Sequence, residues 1–203
     1  MARLTRRQLL YDGCYAHVIS RSIGKNKVFK DNQDFLTFRD MLLKIKSDSG
    51  FKVFHYCLMH THFHLVVEVP EVSLFSKGLQ KLKSQYIYKY HTRYKECGPI
   101  WRDRYKSLLI ENENYLYACG QYIENNPIKA GLVKESVEWE YSCARYYLKG
   151  YADQIIDKYD CVNKELIKDI DIVNEGFFEK GVGIGSDFYR FKLSERLKKR
   201  QEV

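Results

Sequence analysis

The chain has 203 residues, of which 45% are hydrophobic and 30% charged, and its net charge at pH 7 is +8. This composition is typical of a globular protein with one packed domain, or a domain with an appended segment. No apolar run approaches the ~20 residues that cross a bilayer, and the first residues lack the apolar core of a signal peptide. The sequence therefore predicts a cytoplasmic protein with no membrane partner.

The six cysteines are scattered singly, without a C-x-x-C pair or the spacing of a zinc site. We therefore expect reduced thiols, most of them small core residues, and neither a disulfide scaffold nor a zinc module.

The predicted elements of the first half are strand, helix, strand and strand. They cover residues 15–21, residues 31–49 with an N-cap at Asp31 or Asn32, residues 51–58, and a histidine-bearing strand that ends at Pro70. In this helix, Phe35, Phe38 and Leu42 are three and four residues apart, which is the spacing of one helix face.

In the second half, the sequence predicts a long helix over residues 73–95 that is capped by Ser73, followed by an extended segment over residues 100–111. Another helix is predicted to start at Asn112 or Asn114 and to end before Pro127. A short helix follows around residues 138–148. This order predicts an α+β, ferredoxin-like fold, in which helices pack on one face of an antiparallel sheet. We expect a basic arm over residues 1–12, a main domain over 13–149 and a mostly helical extension over 150–203.

Positive charge is concentrated in the basic arm and between residues 77 and 106, where Lys and Arg alternate with Tyr and Trp. Cations neutralise phosphates and aromatic rings stack on unpaired bases, so this mixture favours single-stranded or distorted nucleic acid as a partner. The alternative is a solvated helix face with tyrosines packed beneath it. The predicted phosphate contacts are Arg6, Arg7, Lys77, Lys81, Lys83, Arg102, Arg104 and Lys106.

Histidines are concentrated in one short stretch, since His55, His60, His62 and His64 fall within ten residues. Alternate residues of a strand share a face, so the last three are expected side by side, where neutral imidazoles can ligate a divalent ion. The alternative is the ordinary edge of a half-buried strand.

Two further residues are candidates for a supporting role. His17, on the first strand, is expected to be structural or to lie near an active site. Glu68 is on the same strand face as the histidines. It is expected either to hydrogen-bond a metal-binding histidine from outside the metal site or to be a solvated carboxylate.

The helix before Pro127 places Tyr122 and Asn126 one turn apart on the same face. A phenol and a carboxamide so arranged can offer a nucleophile and a neutral oxygen ligand to one ion. The alternative is that Tyr122 is a core residue and Asn126 caps the helix end.

Four segments together resemble the HUH-type single-tyrosine transposases, and most closely the REP-associated tyrosine transposase group. The segments are YAHVISR at 15–21, LMHTHFHL at 58–65, WRDRYKS at 101–107 and YIENNPIKAGLV at 122–133. They occur in the order and spacing of that family over roughly residues 3–149. His60 and Thr61 depart from the pattern, because they stand where the family has proline and asparagine.

The resemblance implies that Tyr122 is the nucleophile, that His62 and His64 bind a metal ion, and that Asn126 is the third ligand. It implies Mg²⁺ or Mn²⁺, although two imidazoles also suit Zn²⁺, and His60 becomes a possible extra ligand. The implied activity is cleavage and rejoining of single-stranded, hairpin-bearing DNA through a 5′-phosphotyrosine, by a monomer or homodimer.

Two other functions remain open from the sequence. One is a metal-dependent hydrolase that uses the histidine cluster without a tyrosine nucleophile. The other is a domesticated, non-catalytic protein that binds DNA hairpins.

Overall fold

The computed structural model describes residues 10–158, 183–186, 189, 190 and 193. Arg6, Arg7 and most of the predicted basic arm lie outside the described residues, and so does most of the extension predicted over residues 150–203. The described parts of that extension, residues 151–158 and 183–186, pack against the main domain.

A five-stranded sheet forms the centre of the fold. Its strands are β1 (Cys14–Arg21), β2 (Lys52–Met59), β3 (His62–Val69), β4 (Lys106–Ile110) and β5 (Gly183–Ile184), in the spatial order β2-β3-β1-β4-β5. β1 to β4 pair antiparallel, and β5 adds a short parallel strand beside β4. The first four strands have the ferredoxin-like order, so the predicted α+β class is confirmed.

Two long helices, α1 (Asn32–Ser49) and α2 (Val72–Tyr94), cover one face of the sheet. Asp31 caps α1 by accepting a hydrogen bond from the Asp34 backbone N–H, as predicted. Phe38 of α1 contacts Phe63 of β3 and Tyr86 of α2, with ring centroids 5.0 and 5.2 Å apart. The aromatic residues of both helices and of β3 thus form the main core.

The N-terminus of α2 differs from the prediction. Ser73 is not the cap: the helix begins at Val72 after Glu71, and the Ser73 hydroxyl donates to the Glu71 carboxylate. The hydroxyl therefore bonds backwards to a side chain instead of accepting from the backbone N–H groups of the first turn.

The opposite face of the sheet is covered by α3 (Glu113–Glu124), so the expectation that all helices share one face is wrong for this helix. Asn112 caps α3 by accepting from the N–H groups of Asn114 and Tyr115. α3 ends before Pro127, as predicted. A second short helix, α4 (Asn126–Lys129), follows at once with Pro127 in its first turn, where proline is tolerated.

The segment after α4 covers the outer edge of β2 with backbone hydrogen bonds. The helix predicted over residues 138–148 is instead a 3₁₀ turn (Ser136–Glu138) followed by α5 (Ala144–Lys149). Backbone hydrogen bonds join Leu58 to Tyr141, Cys143 to Tyr56, and Asp157 to Val53, at 2.8 to 3.1 Å. Pairing an edge in this way removes a site of strand-to-strand aggregation.

In the described part of the chain, no helix combines the length and apolar character needed to cross a bilayer.

Contact between α3 and β2 is unusually close at Gly120. A Cβ atom added there would lie 2.3 Å from atoms of the His55 imidazole ring. His55 is itself buried, and the ring of Tyr147 stacks on it at 4.4 Å, so the imidazole has little room to move. Glycine is therefore required here by close approach, and not by backbone conformation.

We predict that Gly120→Ala lowers the free energy of unfolding by about 1–3 kcal/mol through overpacking, even though alanine favours a helix over glycine by about 1 kcal/mol. Urea unfolding followed by circular dichroism measures the change. Gln121→Ala, at the exposed neighbouring position of the same helix, is the control and should change stability by less than about 0.5 kcal/mol. Equal stability of both variants would contradict the packing argument.

Candidate active site

Two buried histidines from different strands are joined at the centre of the sheet face that α3 covers. His17 Nε2 and His64 Nδ1 lie 2.8 Å apart, within hydrogen-bond distance, and their rings are nearly parallel. The register that pairs Ile19 of β1 with His64 of β3 puts these two imidazoles on the same face. His17 therefore holds the orientation of the His64 ring.

His62 lies next to His64, with ring centroids 4.9 Å apart, and is half-buried. Its Nδ1 is 2.9 Å from the hydroxyl oxygen of Thr61. His62 and His64 thus both use Nδ1 for a hydrogen bond inside the protein. Nε2 of each ring is left for another partner. Such outer bonds set the tautomer and aim of metal-binding imidazoles.

All three imidazoles are held in the neutral form. Burial, and to a smaller extent the charge of Arg21, lowers the pKa of His62 to about 4 and that of His17 to about 3. Burial also lowers the pKa of His64 well below its usual value. A neutral imidazole is the form that ligates a cation, so these groups are ready to bind one at neutral pH.

His60 does not join this cluster, and the expectation that three alternating histidines share a face is wrong. β3 begins at His62, and His60 lies in the turn before it. Its Nδ1 is 2.6 Å from the backbone oxygen of Phe29, and its ring packs against Phe35 and Trp139. His60 thus connects the turn to the helical layer on the other side of the sheet.

Tyr122 and Asn126 lie on the flank of the helical region that is turned away from β2. Tyr117, Gly120 and Glu124 form the flank that contacts His55. With about 3.6 residues per turn, Tyr122 and Asn126 fall on the other flank.

Both side chains are half-buried. The ammonium nitrogen of Lys129 lies 4.1 Å from the centroid of the Tyr122 ring. Asn126 donates from Nδ2 to the carbonyl of Ile123 at 3.1 Å. This bond uses the amide nitrogen and not Oδ1, which is the atom that would ligate a cation.

Glu68 shares a strand face with His62 and His64 but lies far along the strand from them. It is four positions beyond His64 in β3, a distance of about 13 Å. Its carboxylate forms an ion pair with Lys52 Nζ at 3.0 Å, and it is paired across the sheet with Tyr15. Glu68 therefore belongs to the far end of this face.

The predicted phosphate contacts are divided between the two sides of the sheet. Lys106 is opposite Ile19 of β1 and shares the histidine face, and Arg102 and Arg104 are exposed in the loop just before β4. Lys77 and Lys81 are exposed on α2, which covers the other face.

Lys83 is not presented to a ligand at the surface. It is buried, its ammonium donates to the carbonyl of Asp103 at 2.7 Å, and it lies 5.4 Å from the centroid of the Trp101 ring. Its charge thus stabilises the loop before β4.

Sequence reasoning missed Arg21 as a residue of this site. Arg21 is the cross-strand partner of His62 and is exposed, and its charge contributes to the lowered pKa of both His62 and His64. The sequence does place Arg21 at the end of the strand that carries His17. Only the register between β1 and β3, however, shows that Arg21 lies beside His62.

The donor set fits a divalent cation. His64 Nε2 is buried and has no hydrogen-bond partner among the residues that the structure describes. An unpaired buried nitrogen costs about 1–3 kcal/mol, a cost that an ion ligated by His64 and its neighbour His62 would remove. The two neutral imidazoles form an uncharged pair of ligands for such an ion.

Comparison with curated proteins finds two relatives. The REP-associated tyrosine transposase of Escherichia coli is 28% identical over 107 residues, which cover 51% of this chain and 61% of that protein. The putative REP-associated tyrosine transposase of Haemophilus influenzae is 30% identical over 104 residues, 45% of this chain and 58% of the relative. The chain thus spans about three fifths of the length of the curated relatives it matches.

Among solved structures, one described as a REP-associated tyrosine transposase bound to a REP hairpin aligns with a TM-score of 0.62 and 20% identity, over 81% of this chain and 96% of that chain. This similarity supports the fold. The family model described as "Transposase IS200 like" matches residues 10–126, more than half of the chain. The chain therefore belongs to the IS200-like transposase family.

Proposed function

We propose that this protein is a single-tyrosine transposase that cleaves and rejoins single-stranded, hairpin-bearing DNA through a 5′-phosphotyrosine. The observation that carries the proposal is the His17–His64 hydrogen bond beside His62, which leaves a buried ring nitrogen of His64 for an ion on the sheet face under the Tyr122 helix. Family membership supports the reaction class.

The residues that would hold the ion are His62, His64 and Asn126. Mg²⁺ or Mn²⁺ is proposed from the family, and Zn²⁺ is also compatible with two imidazoles. When bound, such an ion offsets the negative charge that builds on a phosphate under attack.

His17 acts as a positioning residue in this proposal. If His64 ligates through Nε2, its Nδ1 must carry the ring proton, and that proton is donated to Nε2 of His17. The bond therefore selects one tautomer of His64 and fixes the plane of its ring.

Tyr122 supplies the nucleophile. The phenol loses its proton, its oxygen forms a bond to a DNA phosphorus, and the bond from phosphorus to the 3′ oxygen breaks as that oxygen takes up a proton. The 5′ end is then joined to Tyr122, and a 3′-hydroxyl is free. Attack by another 3′-hydroxyl reverses the step and joins strands without ATP, because the phosphotyrosine linkage retains the energy of the phosphodiester bond.

Lys129 places a cation beside the phenol ring of Tyr122, which favours approach of the anionic substrate.

The decisive prediction concerns Tyr122→Phe. With labelled single-stranded hairpin DNA and Mn²⁺, the wild type should form a protein–DNA adduct stable in denaturing gels, and the variant should form none while still binding DNA. Tyr88→Phe, at an exposed tyrosine of α2, is the matched control and should form the adduct normally. Cleavage that persists in Tyr122→Phe would favour the hydrolase, and binding without any adduct from the wild type would favour a non-catalytic hairpin-binding protein.

A graded effect on metal affinity is expected from three histidine variants. His64→Ala should abolish Mn²⁺ binding, and His17→Ala should weaken it by about 10- to 100-fold because the ring of His64 loses its orienting bond. His60→Ala is the control and should leave affinity unchanged, because its imidazole bonds to Phe29 instead. Calorimetric titration of folded protein measures all three, and loss of binding in His60→Ala would contradict this assignment of ligands.

The proposed path for the DNA strand follows the exposed cations on the histidine side of the sheet. Arg21 of β1 and Lys106 of β4 lie on this face, and Arg102 and Arg104 are exposed in the loop that precedes β4. The loop is joined to the end of β1 by a hydrogen bond from the Arg102 N–H to the carbonyl of Arg21. A strand that follows these groups would pass next to His62.

We predict that Arg104→Ala weakens binding of single-stranded DNA and makes the slope of log affinity against log salt less negative by about 0.7, the value for one lost phosphate contact. Fluorescence anisotropy over a series of salt concentrations measures the slope. Lys81→Ala is the control, because Lys81 lies on α2 and is 3.4 Å from Asp48. A larger change in slope for Lys81→Ala than for Arg104→Ala would place the DNA on the opposite side of the sheet.

A further inference from the structure

A second group of metal-ligating side chains lies outside the proposed active site. His55 of β2, Glu124 at the end of α3 and Cys143 just before α5 are all buried. His55 Nδ1 is 2.6 Å from Glu124 Oε1, and Cys143 Sγ is 2.9 Å from the same oxygen and 3.8 Å from His55 Nδ1. Residues far apart in the chain thus place one nitrogen, one oxygen and one sulfur within 4.8 Å of one another.

We infer that His55, Glu124 and Cys143 form a structural zinc site, separate from the ion proposed at His62 and His64. Imidazole nitrogen, thiolate sulfur and carboxylate oxygen are the three ligand types that zinc uses in proteins. A thiolate ligand selects Zn²⁺ over Mg²⁺ and Mn²⁺, which prefer oxygen. The two clusters therefore differ in the metal that they favour.

The geometry requires only a small adjustment. Zinc bonds of about 2.0–2.3 Å hold tetrahedral ligands roughly 3.3–3.7 Å apart, close to the 3.8 Å between Cys143 Sγ and His55 Nδ1. Glu124 lies nearer to both, at hydrogen-bond distances, so its carboxylate must withdraw by less than about 1 Å as the ion replaces the shared proton.

Charge also balances at this site. A Cys143 thiolate and the Glu124 carboxylate together neutralise the two charges of Zn²⁺, which is the condition for burying an ion in a protein interior. Without metal, burial and the adjacent Glu124 charge raise the pKa of the Cys143 thiol, so binding must release its proton.

The surroundings hold each ligand in place. The backbone N–H of Tyr56 donates to Cys143 Sγ at 3.2 Å, a bond that stabilises a ligating sulfur. His55 is confined between Gly120 and the stacked ring of Tyr147. An ion here would join β2, α3 and the start of α5, and Glu124 is only two residues from Tyr122, so the site would fix the helix that carries Tyr122.

Cobalt substitution tests the site directly, because only a sulfur ligand produces a thiolate-to-cobalt charge-transfer band in the near ultraviolet. Full-length protein titrated with Co²⁺ should develop this band with one equivalent per chain, and added Zn²⁺ should remove it. Cys143→Ser should lose the band, whereas Cys97→Ser, the same change at an exposed cysteine, should keep it. The double variant His62→Ala, His64→Ala should also keep the band, which separates this site from the proposed catalytic ion.

Absence of the band in wild-type protein, or its persistence in Cys143→Ser, would overturn the inference. If circular dichroism shows that Cys143→Ser is unfolded, Glu124→Gln is titrated in its place, since it preserves the shape of the side chain and removes the charge. Its affinity for Co²⁺ should fall at least about tenfold, and an unchanged affinity would equally overturn the inference.

Discussion

The register of β1 against β3 is the constraint on which the proposed site depends. It sets Arg21 opposite His62 and Ile19 opposite His64, so that His17, Arg21, His62 and His64 all occupy one face. A slip of one residue would move every side chain of one strand to the other face. The register is held by the opposite face, where Ala16, Val18 and the alternate residues of β3 are buried under α1 and α2. Packing on one side of the sheet therefore determines the chemistry on the other.

The two faces of the sheet differ in the kind of interaction that covers them. α1 and α2 pack through aromatic rings around Phe29, Phe38 and Phe63. α3 instead covers polar groups, and its contacts with β2 combine a close backbone approach at Gly120 with the buried bond between Glu124 and His55. Such contacts fix a helix in position and rotation more narrowly than apolar packing alone, because a displaced polar group would lose its partner in a dry environment.

The electrostatics of the histidine face follow from burial at its centre and cations at its border. Burial keeps His17, His62 and His64 neutral, and Arg21 reinforces this effect while remaining exposed. Neutral imidazoles next to exposed cations are compatible with the proposed site, which would receive both a metal ion and a phosphate backbone. The buried cluster around Cys143 has the opposite character, with an acidic group and a thiol enclosed by protein, and this difference is why different metals are proposed for the two clusters.

By itself, the sequence determined the local elements and the family. Asp31 as a cap, the apolar spacing of α1 and the order of strands and helices depend on neighbouring residues, and the structure confirms them. The resemblance carried by residues 58–65 and 122–133 is confirmed by the match of the family model. The catalytic and metal-binding roles of Tyr122, His62, His64 and Asn126 stay predictions.

Only the tertiary structure decided which groups meet. Strand alternation could not reveal that the chain turns at His60 and sends that imidazole to the helical layer. Charge alone could not distinguish Lys83, whose ammonium is bonded inside the protein, from Arg104, which is exposed. The bond between His17 and His64 joins residues 47 positions apart, and the contact between Glu124 and His55 crosses from a helix to a sheet edge. These pairings depend on register and packing, which involve the whole fold, and no local pattern of residues contains them.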